Sequence, residues 1–389
     1  MDRIEVAERP DWEAVAQEMG FTFHHADGAR YWDERAYYRF TLAEVEEGIE
    51  TPSAELHGLC LALVEEVVGS ERLMDRLAIP PAMRDVVANS WRARAPSFYG
   101  RFDFSYGGAT AGPAKLLEYN ADTPTSIFET ALFQWRWLED MIKAGRLPAD
   151  TDQYNRLHDA LKERLAALLT KGSVLHFAGD AAHLEDRQTV RYLEDVALQA
   201  GLDPEFVAID RIGVDGDGRF VDEAGVLIAA LFKLYPWEDM LREPYAKHLP
   251  DTTTLFLEPA WKAVLSNKGM LPLLWERHRD HPNLLPAAFA DDFEGMAEIG
   301  DRHVRKPLFS REGADIELVD GDARETGPKG GYGEEGSIVQ ALAPLPVFGG
   351  RHAVVGSWMV GDEPVALSIR EDDGPITRDL ARYLPHAIE

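Results

Sequence analysis

Residues 115–125 read Lys-Leu-Leu-Glu-Tyr-Asn-Ala-Asp-Thr-Pro-Thr, and this run constrains the chain more than any other. An apolar step, Leu116 and Leu117, delivers Glu118, Asn120 and Asp122 at its end, where a buried strand would emerge into a site. All three carry hard oxygen donors, the ligands Mg²⁺ takes when nucleotide phosphates complete its shell. Upstream, Arg101-Phe-Asp103 spaces two charges two residues apart, so on a strand they face one side and address one pocket. The Asp122-Thr-Pro-Thr end is also a turn signature. A plain turn leaves Glu118, Asn120, Arg101 and Asp103 without a reason.

At 389 residues, 45% hydrophobic and 28% charged, the chain can bury a large core in two or three lobes. No stretch approaches the ~18 apolar residues of a membrane span, and the N-terminal Met-Asp-Arg-Ile-Glu-Val-Ala-Glu lacks an apolar signal core, so a cytoplasmic protein is expected. The one cysteine, Cys60, falls in the helical pattern Leu56 to Val64 and reads as a small core residue. A formal charge of −28 argues against nucleic acid, which needs a basic footprint. It favours cationic partners, polyamines included, although solubility alone accounts for such a surface equally well.

The first ninety residues read as helices, with Trp12 to Met19 and Ala54 to Val68 the clearest. Strand and helix then alternate. Helices are expected over 127–144, 152–169 and 186–200, and strands over 173–178 and 205–210. That order implies a partly parallel sheet with ligands at its carboxyl ends. Residues 259–345 read differently: a helix with Leu271-Pro-Leu-Leu-Trp, a strand at Val304-Arg-Lys, a hairpin-like stretch and a strand from Ser337. The tail returns as two strands joined at Gly361-Asp-Glu-Pro. The expected class is α/β (α+β), a helical and mixed-sheet body carrying an inserted α+β lid over about 259–345.

Several motif matches fail on context. Gly331-Tyr-Gly-Glu-Glu-Gly336 fits G-x-G-x-x-G but precedes a strand instead of opening a helix, so it reads as a glycine-rich loop. No P-loop, zinc pattern or G-x-S-x-G elbow occurs, and Asp215-Gly-Asp-Gly218 lacks the closing Glu of a calcium loop, which leaves a hairpin turn. Lys268 and Lys306 each interrupt an apolar context. A single lysine of this kind usually snorkels at an element end; two in one presumed lid suit phosphate binding. Phe309-Ser-Arg-Glu-Gly313-Ala could add backbone N–H groups there.

The segment from Tyr99-Gly-Arg-Phe-Asp-Phe to Leu117-Glu-Tyr-Asn-Ala-Asp resembles the signature of the glutathionylspermidine synthase family, of ATP-grasp fold. Further landmarks follow in order: Leu231-Phe-Lys-Leu-Tyr-Pro-Trp-Glu238, Glu258-Pro-Ala-Trp-Lys262, Ser266-Asn-Lys268, Val304-Arg-Lys306-Pro and Ser368-Ile-Arg370-Glu-Asp-Asp. The likeness spans residues 1–389 and is closest to the single-domain acid–amine ligase-like members, without room for an amidase domain.

The resemblance implies an ATP- and Mg²⁺-dependent ligase that joins a glutathione-like or peptide carboxylate to an amine, polyamines included, through an acyl phosphate. It assigns Asp103, Glu118 and Asn120 to Mg²⁺, and Arg101 and Arg370 to the transferring phosphoryl group and reacting carboxylate. Lys268, Lys306 and Gly313 fall to the ATP phosphates, Gln340 and Leu342 to a hinge at the adenine edge, and Thr123 and Thr125 to the acid substrate. Glu185 and Asp186, with Glu238, are candidates for the amine. The chain departs at Thr123-Pro-Thr125, where the family enzyme reads Ser-Ala-Ser. The hydroxyls survive, but the added methyls and the proline reshape the acid pocket. The competing class is a catalytically silent ATP-grasp scaffold that binds nucleotide or a regulatory partner.

Overall fold

The structure, a computed structural model, describes residues 1–26, 28–379 and 381–389. Its central sheet is antiparallel, in the order Arg382–Leu384, Glu363–Asp372, Arg351–Val360, Tyr99–Ser105 and Lys115–Asn120. Alternation along these strands separates core from site. Phe102, Phe104, Leu116 and Tyr119 enter the main core, where the Phe102 and Tyr119 rings stack at 3.8 Å. Arg101 and Asp103 take the opposite face, and the register sets Asp103 against Glu118 and Arg101 against Asn120.

Under the core face runs the helix Thr51–Val68, 18 residues long with Pro52 in its first turn. Leu56, Cys60, Leu63, Val64 and Val67 form its buried stripe, at the spacing of one helical face. Burial pushes the Cys60 thiol far up, which leaves it an inert core side chain.

A second sheet is wholly parallel, in the order Leu255–Leu257, Ala230–Lys233, Val174–Gly179 and Asp203–Ala208, with the helix Leu184–Gln199 as one crossover. The third is antiparallel: Ala287–Phe289, Ser337–Ala341, Arg302–Pro307, Glu317–Asp320 and Ala323–Thr326. Within 259–345 this sheet occupies 287–341, whereas Trp261, Met270, Leu271 and Leu274 are buried in the same core cluster as Leu56 and Leu63.

The chain is thus mixed α/β with several sheets, and the local readings differ in places. The first ninety residues are not all helical: Asp2–Glu5 and Ala36–Phe40 pair antiparallel, and His386–Ile388 joins them in parallel. The helix expected over 127–144 divides into a π-turn, Glu129–Phe133, and an α-helix, Gln134–Lys143. The helix expected from 152 starts at Leu157, because Asp152 is held in a bridge to Ile388. Around Asp215-Gly-Asp-Gly218 the strands Gly213–Val214 and Phe220–Val221 pair as a hairpin. No described helix is long and apolar enough to cross a membrane.

The junction of parallel and central sheets is pinned by buried ion pairs. Glu258 and Lys262, both fully buried, meet at 2.6 Å (Oε2 to Nζ), and Glu258 also accepts the N–H groups of Phe98 and Tyr99 at 3.0 and 2.7 Å. Lys262 donates to the Tyr99 carbonyl at 2.6 Å, so the pair fixes the start of strand Tyr99–Ser105.

Candidate active site

One cavity of about 1040 Å³ lies between the central sheet, the parallel sheet and the antiparallel sheet. Its floor is the polar face of the central sheet. Arg101 donates to Asp103 through Nε (2.7 Å) and Nη2 (3.1 Å), and Arg370, two strands away, reaches the same carboxylate at 2.8 Å. Gly356 lies opposite Asp103 and makes this possible: a Cβ there would sit 2.8 Å from Cδ of Arg101 and 2.5 Å from Oγ of Ser368. Arg101 also lies over the Trp358 ring, 5.4 Å from its centre. The floor therefore offers two guanidinium groups against one shared carboxylate.

Beside this pair Asn120 donates through Nδ2 to Asp103 and to Glu118, 3.1 Å in each case, drawing three oxygen-bearing side chains together. Among the described residues no group of three or more His, Cys, Asp or Glu side chains is placed to hold a metal. Two carboxylates and one amide nevertheless suit Mg²⁺, which keeps several waters or phosphate oxygens in its shell.

The opposite wall supplies cations. Lys268 approaches Glu118 at 3.1 Å and Lys306 donates to the Leu117 carbonyl and to Oε1 of Gln340, each at 2.8 Å. Burial disfavours the Glu118 charge, but Lys268 and Lys306 outweigh it and hold the carboxyl well below its usual range. Burial pushes the Lys306 ammonium down to about 8, with Glu118 pulling it partly back. On the same wall the Ser310 hydroxyl is buried and has no hydrogen-bond partner, a donor without an acceptor. Gly313 lines this wall in the left-handed region (φ 72°), where a Cβ would strike the Thr377 carbonyl at 2.9 Å.

At the acid end, Thr123 and Thr125 line the cavity, and Arg101 donates to the Thr125 carbonyl at 3.0 Å. Arg311 crosses from the antiparallel sheet to the body, donating to the Thr123 hydroxyl (2.7 Å) and to Glu238 (2.6 Å). Arg311 and Glu312 also line a second cavity of about 600 Å³, which reaches Asp379 and Tyr332. Near this junction burial raises Glu185 to about 7, the Thr125 hydroxyl drawing it down while Asp379 and Asp186 push it up.

Most residues singled out from the sequence meet in this cavity: Arg101, Asp103, Glu118, Asn120, Thr123, Thr125, Asp186, Lys268, Lys306, Gly313, Leu342 and Arg370 all line it. Gln340 does not; it sits in the middle of a strand with ladders on both sides, and its side chain supports Lys306 and the Leu116 carbonyl. Leu342 lines the cavity while its N–H donates to the Arg302 carbonyl at 3.0 Å. Glu185, half-buried, is not among the lining residues. Asp122 is not available as a ligand, because it accepts from Lys233 and from the Trp237 N–H, both at 2.7 Å. Glu238 is taken by Arg311. Sequence reasoning passed over Arg311 and the apolar wall of Val304, Ile316 and Leu318; Ile316 and Leu318 stand two apart about the polar Glu317, which was the available signal.

This architecture has a counterpart among solved structures. It superposes on a glutathione synthetase-like effector from Globodera pallida, in its apo form, over 98% of both chains, with a TM-score of 0.58 at 11% identity. Sequence narrows the class: the family described as "Glutathionylspermidine synthase preATP-grasp" matches residues 3–389, and the chain belongs to the glutathionylspermidine synthase family. It is 36% identical, over 97% of each chain, to a Haemophilus influenzae protein named "Putative acid--amine ligase". It is 28% identical to trypanothione synthetase of Crithidia fasciculata and 26% to the bifunctional glutathionylspermidine synthetase/amidase of Escherichia coli K12. It spans 52% and 58% of the lengths of those two. The family is one of ligases.

Proposed function

We propose that the protein is an ATP-dependent acid–amine ligase that activates a carboxylic acid as its acyl phosphate and transfers the acyl group to an amine. The observation that carries this reading is the pair of guanidinium groups, Arg101 and Arg370, sharing one carboxylate at the floor of a cavity whose far wall holds Lys268 and Lys306. Phosphoryl transfer needs charge neutralisation and positioning more than a nucleophilic side chain, and this site is built for both.

Asp103, Glu118 and Asn120 would hold Mg²⁺, which would supply charge to neutralise the phosphates. Lys268, Lys306, Ser310 and the backbone near Gly313 would take the ATP phosphates, and the apolar wall ending at Leu342 the base. Arg101 and Arg370 hold the acid's carboxylate and the phosphoryl group it receives, while Thr123, Thr125 and Arg311 shape the acid pocket. The carboxylate oxygen takes the terminal phosphoryl group of ATP as ADP leaves; the amine, having given its ammonium proton to solvent, attacks the acyl carbon, and the C–N bond forms as the C–O bond to phosphate breaks and a second nitrogen proton is lost. Glu185, Asp186, Glu312 and Asp379 gather carboxyls where the two cavities meet, a setting that suits an ammonium-bearing substrate, polyamines included. The acid is of the glutathione or peptide type, in a pocket reshaped by Pro124.

Mg-ATP is expected to stabilise the folded protein by roughly 2.7 kcal/mol at a hundred times its Kd. Lys268→Ala or Lys306→Ala should remove most of that shift; an undiminished shift in both sinks the phosphate assignment. Phosphate release that depends on an acid and an amine together separates a ligase from a silent scaffold.

Titration of Lys306 adds a second expectation. A phosphate-bound lysine keeps its proton, whereas the free group loses it near pH 8. Mg-ATP binding should therefore weaken above pH 8 and take up protons, which calorimetry in buffers of different ionisation enthalpy would register. Lys306→Arg should abolish the uptake. Uptake equal in both proteins removes Lys306 from the phosphates.

A further inference from the structure

Two sequence features have no part in nucleotide or acid binding: Glu312, an acid in the loop beside the phosphates, and the glycine-rich run Gly331-Tyr-Gly-Glu-Glu-Gly336. Both lead to the second cavity, where Glu312 and Tyr332 are lining residues. At about 600 Å³ it has the size of a small-molecule pocket.

The loop that walls it is built, not slack. Asp315 accepts the N–H groups of Gly330 and Tyr332 at 3.0 and 2.8 Å, and its own N–H donates to the Pro328 carbonyl at 2.8 Å. Gly330 admits this packing, since a Cβ there would sit 2.7 Å from Cβ of Ala314 and 2.6 Å from the Tyr332 ring. The loop thereby sets Lys329 and Tyr332 on one wall. Arg311 and Glu312 line both cavities and so mark where they meet. Glu312 stands there in the left-handed region (φ 53°), where a glycine would rest without strain. Strain kept at a cavity junction points to the side chain that it presents.

The charge count says what the cavity takes. Five cationic side chains line it: Arg30, Arg311, Lys329, Arg378 and Arg382. Five carboxylates face them: Glu312, Glu371, Asp372, Asp373 and Asp379. Most are already committed. Arg311 is taken by Glu238, Arg378 by Asp372, Arg30 by Glu8, and Glu371 by Arg3. Asp373 is shared by Arg382 and Arg351, which leaves one guanidinium charge over. Among the described residues Lys329, Glu312 and Asp379 form no ion pair. The open charge is therefore of both signs. A guest bearing ammonium groups alone would have to set some of them against these cations, whereas a guest bearing both signs finds a partner for each.

We propose that the second cavity is the acceptor pocket of the ligase and takes an amine that carries its own carboxylate, a free amino acid or a short peptide. Its ammonium end lies at Glu312, where the first cavity is reached, and its carboxylate lies at Lys329. The word acceptor rests on the ligase reading; the binding site does not.

The test is saturation-transfer NMR on the full chain with the common amino acids and alanylalanine, and with spermidine as the purely cationic competitor. At least one zwitterion is expected to bind more tightly than spermidine. Its carboxamide, which lacks the carboxylate, should bind about fivefold more weakly, the upper range for an exposed ion pair. Lys329→Gln should weaken the zwitterion by the same factor and leave the carboxamide unchanged, whereas Glu312→Gln should weaken both alike. Spermidine bound more tightly than every zwitterion, no zwitterion bound at all, or a Lys329→Gln variant that treats zwitterion and carboxamide alike overturns the proposal. None of these readings uses turnover. Zwitterion binding without any phosphate release dependent on acid and amine would defeat the ligase reading and keep the site. Ligation of an amine by a protein that binds no zwitterion would do the reverse.

Discussion

Replacing Arg101 by lysine is expected to lower the ligation rate by on the order of a hundredfold, the cost of losing one aligned transition-state donor. The charge survives, but the planar fork that reaches Asp103 through two nitrogens does not. Arg370→Lys should act in the same direction: its Nη2 makes the third contact to Asp103, and a lysine there keeps no second nitrogen for a substrate oxygen. Nucleotide affinity should persist in both variants, because Lys268 and Lys306 stand on the opposite wall. Phosphate release with an acid and an amine, set beside Mg-ATP affinity, checks the split. Variants that lose binding and turnover together would move the arginines into the nucleotide site.

The largest effect on stability is expected at the Glu258–Lys262 pair. Lys262→Met leaves a fully buried carboxylate with two backbone N–H donors and no cation, and breaking such a pair typically costs about 3–5 kcal/mol. Adding Glu258→Gln removes the stranded charge and should restore much of that loss, as well-packed neutral replacements of buried pairs often do. Urea unfolding of the two variants and the wild type decides it. A single variant less than about 1 kcal/mol below wild type would mean that water reaches the pair and that it pins nothing.

How much of this could be read from residues alone depended on the distance over which partners act. Arg101 with Asp103, and Glu118 with Asn120, announce a common face through a spacing of two, and the paired strands honour it. Asp122 follows the same spacing yet is spent on Lys233, 111 residues away, and Glu238 on Arg311, 73 away. No local pattern carries such pairings, so an available carboxylate and a committed one look alike in sequence. The strand Asp2–Glu5 was illegible for another reason: four residues with no fully buried side chain offer no apolar alternation.

The antiparallel sheet that carries Lys306 shares no strand with the central sheet. The two meet through a shared apolar core, Phe289, Leu308 and Ile338 with Phe102 and Leu116, and through polar groups: Lys306 on the Leu117 carbonyl, Gln340 on the Leu116 carbonyl and Arg311 on Thr123. No β-ladder has to break for them to part. Parting them would still bring Phe289, Leu308 and Ile338 out of a core shared with Phe102 and Leu116, so apolar contact, more than the polar groups, sets the cost of opening. Under the proposed function Lys306 and Lys268 would exchange a carbonyl and a carboxylate for phosphate, so the charges that close the empty protein would be those that grip its contents.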